Sequence, residues 1–441
     1  MRIGPAFLQT FAVQLLQTAA SIITGIVIAR GLGPTGQGQY AVLLAGVGLL
    51  STMAAAGQFE GNVLTSAGQQ SQGRILVVRS VCQAALAGAL VLATNGMWRS
   101  ASALSGNRSV AVILSLIVMA EVLALLFRGI NLGQHQITAY NVATLIQRFV
   151  YLIIVSAVGL LAGLRLATVL EAWLVAVLLN VLFTGVGIWR RSNRVSLSWR
   201  TLADGWIASL TRGLRALLTV CLTLLLVRAD VYMLGRMLGV EAVGQISVAT
   251  TFAEYLWYIP SILGSMLFAV VAANRGPQSI ERICRSTRLA VALLAPVAIV
   301  LLLIGRPLIP LIYGTAYARA GTLLVLLVPG MFAISVHLVL DSYFAGKGFP
   351  PISYLGAAGA LATKVLLNLA VVPRFGLEGA AVVTSGVYGL LLWLKVGAFT
   401  RETGVSVSRV LRPSKDDVVR GLTVIREWLS LAVRPANVGR P

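Results

Sequence analysis

Apolar stretches of about 20 residues, the length that crosses the hydrocarbon core of a bilayer, run through this chain from end to end. Twelve are predicted, near 8–29, 40–63, 77–97, 109–130, 140–162, 167–189, 208–230, 243–272, 287–305, 320–344, 353–372 and 377–398. With 58% hydrophobic residues, 11% charged and a mean hydropathy of +0.88, little remains for a water-soluble domain except the tail after about residue 400. The implied fold class is an all-α polytopic membrane protein. The first stretch has one arginine ahead of it, glutamines within it and no small-residue cleavage site before a polar mature domain. It reads as a retained helix rather than a signal peptide.

A net charge of +21 in a soluble protein would suggest nucleic acid. Here the charge reads as orientation. Fifteen basic residues gather in one set of loops, from Arg2 through Arg74, Arg79, Arg128 and the cluster at 190–215 to Arg275–Arg288 and Lys347, against nine in the alternate loops. A further basic run, Lys395 through Arg440, is assigned to the tail. The positive-inside rule then puts both termini in the cytoplasm, and an even number of helices agrees in placing them on one side.

One phrase occurs twice. Val27-Ile-Ala-Arg30-Gly-Leu32-Gly33-Pro34-Thr-Gly36-Gln-Gly38-Gln39-Tyr-Ala-Val42 is echoed by Met233-Leu-Gly-Arg236-Met-Leu238-Gly239-Val-Glu-Ala-Val-Gly244-Gln245-Ile-Ser-Val248, with Arg, Leu, Gly, Gly, Gln and Val recurring at an offset of 206. Each copy lies between two apolar segments. Six helices return the chain to its starting side, so the repeat predicts two parallel lobes, 1–195 and 205–400, around a central cavity, with a basic cytoplasmic tail over 401–441. In the first copy the glycines allow a tight reversal and Pro34 stops the first helix. Two readings stand for this turn: a helical hairpin with an interfacial arginine, or a gating or substrate element.

Several function classes are excluded or weakened. The connections are short, the longest being 190–207, so no large outer loop holds the catalytic acids of a membrane glycosyltransferase or polymerase. There is no Gly-x-x-x-x-Gly-Lys loop for nucleotides. His135 and His337 are isolated, no metal is expected, and no cofactor is called for. Cys82 and Cys221 fall in apolar runs and read as small core residues; with Cys284 they show no ligand spacing. Asp416 and Asp417 read as solvated acids. The segment 415–435 carries Val418, Val419, Leu422, Ile425, Leu429 and Ala432 on one helical face, and reads either as a membrane-surface helix or as a disordered basic tail.

Polar residues inside the apolar segments form stripes. Thr10, Gln14, Gln17, Ser21 and Thr24 recur at steps of 4, 3, 4 and 3 on one helix face. Arg212, Arg215, Thr219, Thr223 and Asp230 form a second stripe, and the offset maps Gln17 onto Thr223 and Thr24 onto Asp230. Lipid penalises such faces, so they should meet a water-filled cavity or another helix. Ionisable residues at bilayer depth mark functional positions. Glu121 lies roughly 13 Å deep at 1.5 Å per residue, and Arg148 lies at a similar depth in the next segment. They read as a buried ion pair, or alternatively as leaving Arg148 free to bind an anion. Asp230, Glu254 (before Pro260) and Asp341 join Glu121 as coupling or gating candidates; the alternative reading of Asp341 is a cap or a water-facing group. Lys364 is too central in its segment to snorkel.

The phrase Ala29-Arg30-Gly-Leu32-Gly33-Pro34-Thr-Gly36-Gln-Gly38-Gln-Tyr40 after a first apolar helix resembles the bacterial lipid-linked oligosaccharide flippases, or polysaccharide exporters, of the multidrug, oligosaccharidyl-lipid and polysaccharide exporter superfamily. Arg228-Ala-Asp230, Gly244-Gln-Ile-Ser-Val with Ile259-Pro260, Gly346-Lys347-Gly348-Phe-Pro350 and Pro373-Arg-Phe-Gly376-Leu-Glu-Gly379-Ala-Ala381 fit the same pattern, over about residues 1–400. The resemblance implies two six-helix lobes opening alternately to each side of the bacterial inner membrane, and no enzyme chemistry. Its implied substrate is an oligosaccharide on undecaprenyl diphosphate, moved to the outer leaflet for surface polysaccharide, with a polymerase and glycosyltransferases as pathway partners. The diphosphate and glycan would be held by Arg30, Arg148, Arg212, Arg215, Arg236 and Lys364, with Gln14 and Gln17, because an arginine fork suits phosphate oxygens. The alternatives are a multidrug or cation antiporter of the same superfamily and a peptidoglycan lipid II flippase.

Overall fold

The structure, a computed structural model, describes residues 5–55, 57–68, 73–93, 108–192, 199–258 and 276–414, together with 260, 261, 264, 267, 271, 417 and 419. Side chains are described from residue 13 in the first helix and from residue 216 in the helix over 199–237. Twelve α-helices follow in order among the described residues: α1 (Pro5–Ala55), α2 (Gln58–Gly68), α3 (Gly73–Ala93), α4 (Arg108–Gly133), α5 (Ile137–Leu161), α6 (Leu166–Arg191), α7 (Trp199–Met237), α8 (Val240–Glu254), α9 (Pro277–Tyr313), α10 (Ala318–Gly346), α11 (Pro351–Thr403) and α12 (Val407–Leu411). Nine of these are long and apolar enough to cross a membrane.

Helices and predicted spans do not correspond one to one. At about 1.5 Å per residue, the 51 residues of α1 would run about 77 Å if straight, more than twice a hydrocarbon core. The helix breaks at Gly33, where φ is +67°, a conformation that glycine adopts without the Cβ penalty. That the chain doubles back there follows from its contacts with α5. Gln17 Nε2 donates to Thr144 Oγ1 at 2.5 Å, and Tyr151 OH bonds Tyr40 OH at 3.2 Å. Residues 23 apart along α1 thus meet residues 7 apart on α5, which only a hairpin permits. The 53 residues of α11 break in the same way at Gly376, with φ +58°. Lys364 Nζ lies 5.2 Å from the centre of the Tyr388 ring, and both are twelve residues from that glycine. Each of these two helices therefore supplies two spans. The expected span 40–63 ends early, at Ala55, because Gly57 (φ +72°) turns the chain into α2.

The chain forms two compact units: Met1–Val248 with Pro310–Arg319, and Ala249–Ile309 with Ala320–Pro441. The first unit takes in α7 and the start of α8, which the repeat assigns to the second half. Its core joins Ile28, Leu43 and Val47 of α1 to Ala84 of α3, Val118 and Leu126 of α4, Tyr151 and Val155 of α5, and Val169, Leu170 and Trp173 of α6. In the second unit Val339, Leu340 and Phe344 of α10 pack with Ile283 and Cys284 of α9, Val396 and Phe399 of α11, and Val410 of α12. Against expectation, Cys82 is exposed, on α3.

Candidate functional site

The second copy of the repeated phrase is built like the first. Gly33 and Gly239, equivalent at the offset of 206, both have positive φ, +67° and +88°, and in each copy a helix restarts on the following residue. Five residues further on stand Gly38 and Gly244. A Cβ on Gly38 would meet the Val240 carbonyl oxygen at 1.9 Å, and one on Gly244 would meet the Pro34 carbonyl oxygen at 1.9 Å. Pro34 and Val240 are themselves equivalent, so the copies pack on each other by one self-complementary contact that only glycine allows. This contact explains why α7 and the start of α8 belong to the first unit.

Arg30, beside that turn, is engaged by backbone. Its Nε donates to the Ile312 carbonyl at 2.8 Å and its Nη2 to the Leu311 carbonyl at 3.2 Å, at the C-terminal end of α9, where helix carbonyls lack intrahelical partners. Tyr317 OH donates to the Ala29 carbonyl (2.9 Å) and Gln245 Nε2 to the Ala316 carbonyl (2.7 Å). Arg236, in the last turn of α7, is exposed.

The polar stripe of the first segment turns inward: Gln14, Gln17 and Ser21 are half-buried and Thr24 is buried, while Leu15, Leu16 and Ile23 are exposed. On α7, Thr219 and Asp230 are buried and Thr223 half-buried, while Leu218 and Val220 are exposed. The side chains of Thr10, Arg212 and Arg215 lie outside the described residues.

Between α4, α5 and α6 runs a chain of side-chain bonds that centres on Glu121. Glu121 Oε1 accepts from Gln147 Nε2 at 2.9 Å and from Trp173 Nε1 at 2.8 Å. Gln147 Oε1 accepts from Asn180 Nδ2 at 2.7 Å, and Asn180 Oδ1 from Thr184 Oγ1 at 2.9 Å. This corrects the expected Glu121–Arg148 ion pair, which is absent among the described residues. One residue is about 100° around a helix, so α5 presents Gln147 rather than Arg148 to Glu121.

Arg148 takes a different position. Asn141, Thr144, Arg148, Tyr151 and Val155 are spaced 3, 4, 3 and 4 apart, so they share one face of α5. The other four are buried, with Thr144 and Tyr151 bonded to α1, yet Arg148 is exposed. The outward face of α5 lies elsewhere, at Phe149 and Ile153. An accessible guanidinium on an inward-turned stripe requires water or an anion there, since lipid would not tolerate it.

In the second unit Lys364 is fully buried against Tyr388. Asp341 neither caps nor simply faces water: Lys395 Nζ donates to its Oδ1 at 2.5 Å and to Ser353 Oγ at 3.2 Å, and lies 4.6 Å from the Phe344 ring centre. Lys395, counted with the tail in the sequence, is thus a buried cation of α11. Glu254 ends α8, half-buried beside Tyr255 and Tyr258, whose rings stack. The tail begins by docking: Arg288 Nε donates to Asp417 Oδ2 at 2.7 Å, and Arg409 Nη2 to Glu281 Oε2 at 2.7 Å. Asp417 is therefore paired, not solvated; most of the amphipathic segment 415–435 lies outside the described residues. Among the described residues no group of metal-ligating side chains converges.

Sequence reasoning missed Lys395 and also Arg79, a buried arginine whose Nη2 donates to Asn62 Oδ1 at 2.7 Å. Both lie near segment ends, where a basic residue ordinarily reads as an interfacial anchor.

No protein-family model and no curated protein matches the chain by sequence. Solved structures do match by fold. The lipid II flippase MurJ in an inward closed conformation aligns at 10% identity over 98% of this chain and 93% of its own, with a TM-score of 0.66. An inward-facing multidrug resistance MATE family transporter aligns at 14% identity over 90% and 99%, also at 0.66. A transporter from Pyrococcus furiosus, described as having a binding pocket of reversed polarity, aligns at 15% identity over 91% and 94%, at 0.61. These proteins are transporters, and the last two are described as members of the MOP superfamily. The chain accordingly has the all-α, two-lobed, multi-pass fold of MOP superfamily transporters.

Proposed function

We propose that the chain is a flippase that moves a polyprenyl-diphosphate-linked oligosaccharide from the cytoplasmic to the outer leaflet of a bacterial inner membrane by alternating access. The observation that carries this reading is Arg148. A cation that is accessible at bilayer depth, on a helix face otherwise turned into the protein, suits an anionic group drawn in from the membrane plane. Gln14, Gln17 and Ser21, on the inward stripe of α1, give the hydroxyl-rich glycan donors and acceptors. The accessible Arg148 and the buried Lys364 favour an anionic cargo over an organic cation. Arg30 serves the turn rather than the diphosphate, since its guanidinium is engaged by carbonyls. The two six-helix halves, both termini in the cytoplasm, and the polymerase and glycosyltransferases of the same pathway belong to this proposal.

The test is made in cells that depend on the protein for surface polysaccharide. Loss of the chain should leave lipid-linked oligosaccharide accumulating without a glycan coat, while resistance to cationic dyes is unchanged. Unchanged lipid intermediates with lost dye resistance would support the antiporter alternative instead.

A further inference from the structure

His337 is buried in α10, and among the described residues neither ring nitrogen has a hydrogen-bond partner. A neutral imidazole carries one N–H donor and one acceptor, and leaving both unmet in an apolar interior is costly. The charged groups that act on it are Asp341, one helical turn further along α10, and Lys395 of α11. At i, i+4 spacing the Cβ atoms of His337 and Asp341 are about 5–6 Å apart, so a charged imidazole and the Lys395 ammonium would address the same carboxylate. That carboxylate is not sealed off: a quarter of the Asp341 side chain is accessible (25%), against 2% for Lys395.

We propose that His337 binds a proton and thereby loosens Lys395 from Asp341. The proton adds to the free ring nitrogen, entering by way of Asp341. The buried cluster then holds two cations and one carboxylate, and the imidazolium displaces the ammonium as the partner of Asp341. Lys395 Nζ also bonds Ser353 Oγ, so its release uncouples α10 from the ammonium that ties together the two arms of the α11 hairpin. This deepens the transport reading, on which it rests for its purpose: proton occupancy would bias the packing of one unit and so drive a cycle.

The chain has only two histidines, which makes the site directly observable. Histidine-selective ¹³C labelling of the full-length protein in lipid nanodiscs should give two imidazole signals, and His135→Gln identifies that of His337. The expected result is titration of the His337 signal between roughly pH 3 and 8. Its midpoint should fall by about half a unit or more in Asp341→Asn and rise by a similar amount in Lys395→Met. An unchanged His135 signal reports that these variants keep their fold. A His337 that stays neutral throughout, as one merely bridged by water would, overturns the proposal, as does a midpoint that ignores both substitutions. Titration without translocation of lipid-linked oligosaccharide would sustain the proton site and remove the flippase reading. Translocation without titration would do the reverse.

Discussion

Gly38 and Gly244 are 206 residues apart in the chain and face to face in the fold, each seated against the carbonyl oxygen four residues before the other. A repeat that recurs in sequence thus also meets itself in space. Gly38→Ala and Gly244→Ala each force a methyl group against main chain, at a cost of about 1–3 kcal/mol. Either substitution should reduce glycan export several-fold. Gly48→Ala, where nothing lies within 4 Å, should be silent. Surface glycan normalised to protein in the membrane provides the measurement.

Arg148 and Arg30 separate binding from architecture. Arg148→Ala should lower export at least tenfold, about 1.4 kcal/mol of lost interaction, with little change in thermal stability. Arg148→Lys should recover only part, since an ammonium lacks the two-pronged fork. Arg30→Ala should instead lower the melting temperature slightly, because the Leu311 and Ile312 carbonyls lose their donors, a loss of about 0.5–1.5 kcal/mol at this exposed position. Thermal unfolding in detergent beside an export assay distinguishes the two.

The Glu121 network should tolerate shape but not loss. Glu121→Gln keeps an acceptor for Gln147 and Trp173 and should remain near wild type. Glu121→Leu leaves both donors without this partner and should destabilise by about 1–3 kcal/mol through the buried Trp173 N–H, with less from the half-buried Gln147. Unfolding midpoints of the two variants check this, and equal midpoints would show that the network contributes little.

How much of this was legible in the sequence depended on periodicity. The inward stripes of α1 and α7 followed from 3.6-residue spacing, and the division of α1 into two spans from its glycines and Pro34, which announce a reversal. What partners each charge was less legible. Arg148 is one residue from Gln147, and a single step around the helix decides which side chain Glu121 meets. Lys395 sits near the end of the last apolar segment, where sequence alone cannot distinguish a snorkelling lysine from one folded onto Asp341. The boundary of the first unit was hidden for a related reason: a repeat shows that two phrases are alike, not that they touch.

The tail's attachment should depend on pH in one direction. Burial raises the Asp417 carboxyl, but hydrogen bonds from Arg288 and Ser414 and the nearby guanidinium outweigh it, holding the group below the usual carboxylate range. A carboxyl depressed in the folded state stabilises above its unfolded value, about pH 4, and loses that contribution as pH falls through the folded value. A spin label at Val419→Cys should therefore be ordered at neutral pH and become mobile only in acid. In Asp417→Asn it should be mobile at neutral pH as well.

The central claim is tested most directly with purified protein in sealed vesicles that carry a fluorescent polyprenyl-diphosphate oligosaccharide in one leaflet, with its appearance in the other leaflet followed by an impermeant quencher. Wild-type protein should move the lipid, and Arg148→Ala should not while staying folded. Vesicles in which the wild type leaves the lipid where it started, or in which Arg148→Ala moves it at the wild-type rate, would contradict the account.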